Sequence, residues 1–291
     1  MSNILIVGAD GTIGTALFRH LNAQNNVSVY GTTRRAWSDE AQKIFSLDLA
    51  EPPKNWHFPD IPFSTVYLCA GISNMAFCED NADTSSRINV DATKRLITYF
   101  TNRNTRIVYL STNQVFSGDV PTVLANASPH PRNEYGRQKS SVERFIQTQC
   151  QQYAIVRLTK VISPNALPFR HWIECLRNHT PIEAFHDMVI APISLSNVVE
   201  TLEWIGRQQE TGCFQLSGPE DVSYYQLGCY FAQRLGRSET LVQSTSAIVK
   251  GIKNIFLPSF TSLQFSSILA ASHKVPLHYT DVIEENFDFQ E

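Results

Sequence analysis

The chain is short of charge, and what it carries is balanced: charged residues fill 18% of its 291 positions, with 24 Lys and Arg against 27 Asp and Glu for a net charge of −3. Without a basic block it has no electrostatic footprint for a nucleic-acid backbone or an anionic membrane surface, so neither is expected as a partner. Long hydrophobic runs are missing too. No window approaches the roughly 18 consecutive apolar residues of a membrane-spanning helix, and Met1-Ser-Asn passes straight into Ile4-Leu-Ile-Val without a basic, cleavable leader. The expectation is a cytoplasmic protein. The six cysteines (Cys69, Cys78, Cys150, Cys175, Cys213 and Cys229) are scattered without a C-x-x-C pair, which argues against a disulfide framework or a zinc site. His171, His179 and His186 lie eight and seven residues apart, spacings that fit no compact ligand set, so no metal is expected. What is present is apolar mass. At 43% apolar, the chain can bury a sizeable core as two domains or as one large α/β domain with a smaller lobe, and disorder is excluded.

Short apolar runs alternate with longer amphipathic stretches through the first half, the pattern of repeated βαβ units and a parallel sheet. Strands are expected at Ile4–Val7, Val27–Tyr30, Ile44–Leu47, Thr65–Cys69 and Thr105–Leu110, with a sixth at Ala154–Leu158. Helical segments fall at Ile13–Leu21, at Thr84–Phe100, where Ile88, Ala92, Leu96 and Phe100 share a face, and at Glu134–Gln149. The rhythm loosens at Ser163-Pro-Asn-Ala-Leu-Pro168, where a second lobe is expected to begin. Ser223-Tyr-Tyr-Gln226 reads as a capping box opening a helix to about Leu235.

Immediately after the first strand comes Gly8-Ala-Asp-Gly11-Thr-Ile-Gly14, with a helical pattern starting at its end. Such a loop lets the backbone approach a pyrophosphate, whose charge is met by free N–H groups and the positive end of the helix. Gly8, Asp10, Gly11, Thr12, Ile13 and Gly14 are therefore expected to hold a dinucleotide, a plain turn being the alternative. The second strand ends in Arg34-Arg35, where a dinucleotide fold places the adenosine ribose. An acidic residue there would bond the 2′-hydroxyl, whereas arginines accommodate a 2′-phosphate through charge-assisted contacts, so NADP(H) is favoured and NAD(H) is the alternative. Asp48 and Leu49, after the third strand, are candidates for the adenine edge. Cys69, Ala70 and Gly71, after the fourth, are small enough to leave room for the cofactor.

Tyr135 and Lys139 are four residues apart, on one helical face. A free phenol near pKa 10 shuttles protons poorly at neutral pH, and a nearby cation should bring it into a useful range. Ser111 and Thr112 supply hydroxyls at the carboxyl end of the fifth strand, the edge at which open α/β sheets bind ligands. With the glycine loop, these features define a Rossmann-type, doubly wound parallel α/β sheet carrying a smaller mixed α/β lobe.

At these residues the chain resembles the extended short-chain dehydrogenase/reductase superfamily, within it the dTDP-4-dehydrorhamnose reductase-like branch of sugar-nucleotide enzymes. The resemblance is carried by residues 8–14, Ser111-Thr-Asn-Gln-Val-Phe-Ser-Gly118, Pro131-Arg-Asn-Glu-Tyr-Gly-Arg-Gln-Lys139 with Glu143, and Ile155-Val-Arg157-Leu, with weaker matches at Cys78-Glu79 and Ile88-Asn89-Val90. It implies a catalytic trio of Thr112, Tyr135 and Lys139, the last two also holding the nicotinamide ribose. It further implies reduction of a carbonyl, expected to be the 4-keto group of a nucleotide-activated deoxysugar, and a homodimer is among the partner expectations. The chain departs from the branch at Asn113 and Gln114, where the reductases carry Asp-Tyr, and at Lys160, where a tryptophan is expected; Asn113, Gln114, Lys160 and Trp172 are the substrate candidates. For Trp172, in an expected helix, core packing is the alternative. The departures keep two rivals open: a non-catalytic, NADP-binding regulatory subunit like the methionine adenosyltransferase β-subunit, and a nucleotide-sugar epimerase. The expected domains are 1–162, holding the cofactor and the trio, and 163–291, a substrate lobe with some interleaving of elements.

Overall fold

The computed structural model describes residues 2–24, 26–35, 43–208, 210–252, 256–266 and 275–290. The chain opens with β1 (Ser2–Val7), α1 (Thr12–Asn22), β2 (Val27–Thr33), β3 (Ile44–Ser46), β4 (Thr65–Leu68), α2 (Met75–Asp80), α3 (Ala82–Ser86), α4 (Thr93–Thr101), β5 (Arg106–Thr112), α5 (Glu134–Gln149) and β6 (Tyr153–Leu158). It continues through β7 (Lys160–Ile162), α6 (Phe169–Arg177), β8 (Ile182–Phe185), β9 (Val189–Ile190), β10 (Pro192–Ser194), α7 (Leu195–Arg207) and β11 (Gly212–Leu216). It closes with β12 (Val222–Ser223), α8 (Tyr224–Arg234), β13 (Val242–Thr245) and α9 (Tyr279–Asn286).

Two compact units result. The first comprises Met1–Phe116, Ser128–Arg157 and Ser196–Phe214; the second comprises Ser117–Ala127, Leu158–Leu195 and Gln215–Glu291. The division expected after residue 162 is thus not a single cut. One break does fall at Arg157, but β11 returns to pair along β6 as the last strand of the main sheet. The excursion after Phe116 is drawn the other way: Gly118 and Val123 carbonyls accept from the Phe260 and Gln264 amides, and Gln215 Nε2 donates to the Val123 carbonyl.

In the first unit a seven-stranded sheet runs β11-β6-β5-β4-β1-β2-β3, and the pairs β1–β2, β1–β4, β2–β3 and β4–β5 are parallel. Its central strands are apolar on both faces because helices cover both. Leu5, Ile6, Val66, Ile107 and Val108 are fully buried, each contributing roughly 1.5–3 kcal/mol. The helix expected over Thr84–Phe100 is present but not uniform: residues Arg87–Ala92 form a turn of π-helix between α3 and α4, a local widening frequent at functional sites. Helix α5 starts where its sequence says it should. Asn133 Oδ1 accepts the Gly136 amide at 2.7 Å, and Glu134 lies in the positive first turn.

The second unit has small two-stranded sheets, β10 with β7 and β13 with β8 in parallel and β12 with β9 antiparallel. Its core is aromatic, Phe169 stacking on Phe231 at 5.7 Å between ring centres. The capping box is made as expected, Ser223 Oγ accepting the Gln226 amide at 3.1 Å while Gln226 Oε1 accepts the Ser223 amide at 2.9 Å. Asp187 is a structural acceptor, binding Ser246 Oγ and the Ala247 amide at 2.5 and 2.9 Å. Asp221 does the same for Thr261 and Ser262, fixing a stretch with little periodicity of its own.

Candidate active site

Loops at the carboxyl ends of β1, β2, β3 and β4 enclose a cleft of about 310 Å³ in the first unit. The β1 loop forms its floor. Gly8 has φ +87°, and a Cβ there would lie 2.8 Å from the Ala70 amide nitrogen; a Cβ on Gly14 would lie 2.0 Å from the Gly8 carbonyl oxygen. Only glycine allows this turn to close against both β4 and α1. The loop is stitched to β2, the Gly8 amide donating to Thr32 Oγ1 at 3.1 Å and the Ala9 amide to the Thr32 carbonyl at 2.8 Å. Helix α1 begins at Thr12 with no side-chain cap and no acidic residue in its first turn. Its free N–H groups and positive end are therefore left for an anion.

Of the expected cofactor residues, Gly8, Asp10 and Gly11 line the cleft from the first loop, and Arg34 and Arg35 from the second. Asp48 and Leu49 line it after β3, and Cys69, Ala70 and Gly71 after β4. Thr12, Ile13 and Gly14 form the adjoining first turn of α1. The Arg35 guanidinium is exposed and lies 3.9 Å from the Asp10 carboxylate. Asp48 is partly engaged in its own turn, Oδ1 accepting the Ala50 amide at 2.9 Å. Burial pushes the Cys69 thiol up to about 12, so it is a neutral lining group.

Thr112, Tyr135 and Lys139 are brought together by contacts between β5 and α5. Lys139 Nζ donates to the Leu110 carbonyl at 2.8 Å. The turn after β5 is clamped to the start of α5: Asn133 Nδ2 donates to Gln114 Oε1 at 2.8 Å, and a Cβ on Gly136 would lie 2.0 Å from the Gln114 carbonyl oxygen. Ser111 and Thr112 take different roles. Ser111 Oγ donates to Glu143 Oε1 at 2.5 Å in a buried network where Arg157 grips the same carboxylate at 2.7 and 3.0 Å. Thr112 Oγ1 accepts the Gln114 amide at 3.2 Å and lies 3.3 Å from Asn113 Oδ1, to which it can donate.

The electrostatics correct one expectation. Lys139 does not pull the Tyr135 phenol down: burial, reinforced by the Cys78 thiol, raises it above the ordinary tyrosine range. The ammonium is 5.8 Å from the Tyr135 ring centre and is itself destabilised by burial, which lowers Lys139 to about 8. At neutral pH Tyr135 is a protonated donor beside a charged lysine.

The substrate candidates separate. Gln114 is used structurally by Asn133, whereas Asn113 stays beside Thr112. Lys160 begins β7 in the second unit and is exposed. Trp172 has the packing role: it is 4% exposed, edge-on to Phe169, Tyr224 and Phe231 in the second unit's core. An apolar helix position reads the same from sequence whether it faces a cleft or a core.

Asn89, in the π turn, was visible only within a short motif match. Its side chain brackets the loop after Gly71, Oδ1 accepting the Ile72 amide at 2.7 Å and Nδ2 donating to the Ile72 carbonyl at 2.9 Å. Nδ2 also reaches Gln138 Oε1 at 2.7 Å, beside Lys139 in sequence. A separate cavity of about 390 Å³ lies at the amino ends of the strands and contains none of the expected site residues. Its buried Arg106 donates to the Ile205 and Glu210 carbonyls around the end of α7.

The RmlD substrate binding domain family model matches residues 1–288. The chain belongs to that family. It thereby meets the expected resemblance to the dTDP-4-dehydrorhamnose reductase-like branch. Among relatives, it is 22% identical over 248 residues to the probable low-salt glycan biosynthesis reductase Agl14 of Haloferax volcanii, covering 82% of each chain. It is 27% identical over 143 residues to methionine adenosyltransferase 2 subunit beta of Bos taurus, a match spanning 49% of this chain and 42% of the relative. The dTDP-4-dehydrorhamnose reductase of Bacillus anthracis, solved in complex with NADP, has the same fold at a TM-score of 0.81, with 18% identity and 98% of both chains covered.

Proposed function

We propose that this RmlD-family chain is an NADP(H)-dependent reductase acting on the 4-keto group of a nucleotide-activated deoxysugar. The observation that carries the reading is the joining of Thr112, Tyr135 and Lys139 through β5 and α5, in the unit that also holds the glycine-floored cleft. The residues fit the cofactor: Gly8 and Gly14 form a cradle that any Cβ would fill, α1 offers an uncapped N-terminus, and Arg34 and Arg35 supply cations at the rim. When bound, the dinucleotide supplies the hydride. In this reading the Tyr135 hydroxyl gives its proton to the substrate carbonyl oxygen, and its raised pKa keeps it protonated until that oxygen becomes basic. Thr112 Oγ1 turns from Asn113 to donate to the same oxygen, polarising the carbonyl. Lys139 holds positive charge beneath the tyrosine and orients the ribose. A nucleotide sugar is the substrate class this reading favours, because structural neighbours of the same fold, MoeE5 and the UDP-glucose 4-epimerase of Thermotoga maritima, are solved with UDP-glucose.

The experiment is NADPH consumption with a panel of nucleotide-linked 4-ketosugars, preceded by fluorescence titration with NADPH and NADH. Turnover of at least one ketosugar is expected. Replacing both arginines, Arg34→Ala with Arg35→Ala, should weaken NADPH by about tenfold or more while barely changing NADH, since each charge-assisted contact is worth about 1.5–3 kcal/mol. Equal losses for both cofactors would remove the 2′-phosphate assignment. A second reading, a cofactor-holding regulatory subunit, draws on the match to methionine adenosyltransferase 2 subunit beta over half of the chain. Tight NADPH binding with no turnover across the panel favours it. Interconversion of two sugar epimers without net NADPH consumption would favour an epimerase.

A further inference from the structure

We propose that Tyr109 is a positioning residue for this chemistry, its ring serving as the counter-group that keeps the buried Lys139 ammonium charged and pointed at the site. The inference rests on the functional reading above for its consequence, but its geometry is independent of it. Lys139 is 8% exposed, and among the described residues its Nζ has one hydrogen-bond acceptor, the Leu110 carbonyl. Among the described residues no carboxylate pairs with it. Glu143, one turn further along α5, favours the ammonium through its charge but makes no contact with it, being gripped by Arg157 and Ser111.

The remaining groups that bear on the ammonium are the Cys69 thiol after β4, the Cys78 thiol of α2, the Tyr135 ring and the Tyr109 ring. Both thiols are neutral, since burial raises each. Of the two rings, Tyr109 is nearer, with 4.6 Å from Nζ to its centre against 5.8 Å for Tyr135. A desolvated cation over an aromatic face is stabilised by the ring quadrupole, and the effect is strongest where water is absent. The Tyr109 ring is 2% exposed, and its hydroxyl has no hydrogen-bond partner among the described residues. The useful part of the side chain is therefore the π face, and the buried phenol oxygen is a cost that phenylalanine would not carry.

The test is the pH dependence of NADPH affinity, read by fluorescence between pH 6 and 9 for wild type, Tyr109→Phe and Tyr109→Leu, with Tyr109→Met as a second ringless variant if the leucine protein does not fold. Wild type should lose affinity with a midpoint of about 8, where Lys139 gives up its charge. Tyr109→Phe should keep that midpoint. The ringless variants should move it down by about one pH unit, a tenfold change in the proton equilibrium. An unmoved midpoint in the ringless variants, or an equal shift in Tyr109→Phe, overturns the proposal.

A second measurement, thermal unfolding as a function of pH, needs no cofactor. Lys139 titrates lower folded than unfolded, so the unfolded chain binds more protons between about 8 and the ordinary lysine value near 10.4, and stability rises with pH across that window. Relative to the same proteins carrying Lys139→Met, that rise should begin about one unit lower in the ringless variants. If NADPH fails to bind at any pH, the functional reading falls, and the thermal titration still decides the role of Tyr109.

Discussion

At the scale of single residues, the proposed chemistry depends on how burial sets two proton affinities in opposite directions. The phenol of Tyr135 is pushed up and the ammonium of Lys139 is pulled down, both chiefly by desolvation, so the charged lysine and the neutral tyrosine coexist across neutral pH. The proposed reduction needs that combination. Because Lys139 loses its proton as pH rises through about 8, kcat/KM should fall on the alkaline side with a limb near that value. A pH–rate profile checks this, and a flat profile to pH 9.5 would show that the lysine charge is not required. Sequence spacing put Tyr135 and Lys139 on one helical face, since a four-residue interval is a local property. It did not reveal that the ammonium sits over Tyr109 and binds the Leu110 carbonyl, because those partners come from a strand about thirty residues earlier. The same limit applies to Trp172, whose surroundings are set by Phe169, Tyr224 and Phe231.

At the scale of elements, two close approaches hold the site in register. One is α1 against its own loop. Gly14→Ala forces a Cβ to within 2.0 Å of the Gly8 carbonyl oxygen, a backbone atom that cannot swing away, so α1 must shift. A loss of about 1–3 kcal/mol of stability is expected, together with weaker NADPH binding, by denaturant titration and fluorescence. The other is β5 against α5 and β6, secured by the Ser111–Glu143–Arg157 network, in which Glu143 and Arg157 are each 1% exposed. Glu143→Gln removes the carboxylate charge that Arg157 grips in this buried network and should cost about 3–5 kcal/mol, seen as a lower denaturation midpoint. The milder outcome is expected when both are replaced by apolar residues of similar volume. The strands and helices that frame these contacts were readable from apolar periodicity, and the capping box at Ser223 from its two side chains. The π turn around Asn89 was not, since its wider hydrogen-bond ring leaves the residue pattern of an ordinary helix unbroken.

At the scale of the whole molecule, membership of the RmlD substrate binding domain family and the seven-stranded doubly wound sheet agree with the pattern of alternating strands and helices. The domain plan was only partly legible. Ser117–Ala127 and Ser196–Phe214 belong to units other than those their sequence neighbours suggest, because docking on residues 258–264 and strand pairing with β6 are long-range interactions. With a net charge of only −3, the chain has no general field to attract an anionic cofactor, so in the proposed function recognition falls to the uncapped end of α1 and the Arg34–Arg35 rim. The most direct test of the account is turnover of a nucleotide-linked 4-ketosugar with NADPH by wild type and Tyr135→Phe, each first shown to bind NADPH. The account predicts that Tyr135→Phe binds the cofactor and loses about 10²-fold or more in kcat, the usual contribution of a positioned proton donor. Undiminished turnover by Tyr135→Phe would contradict it.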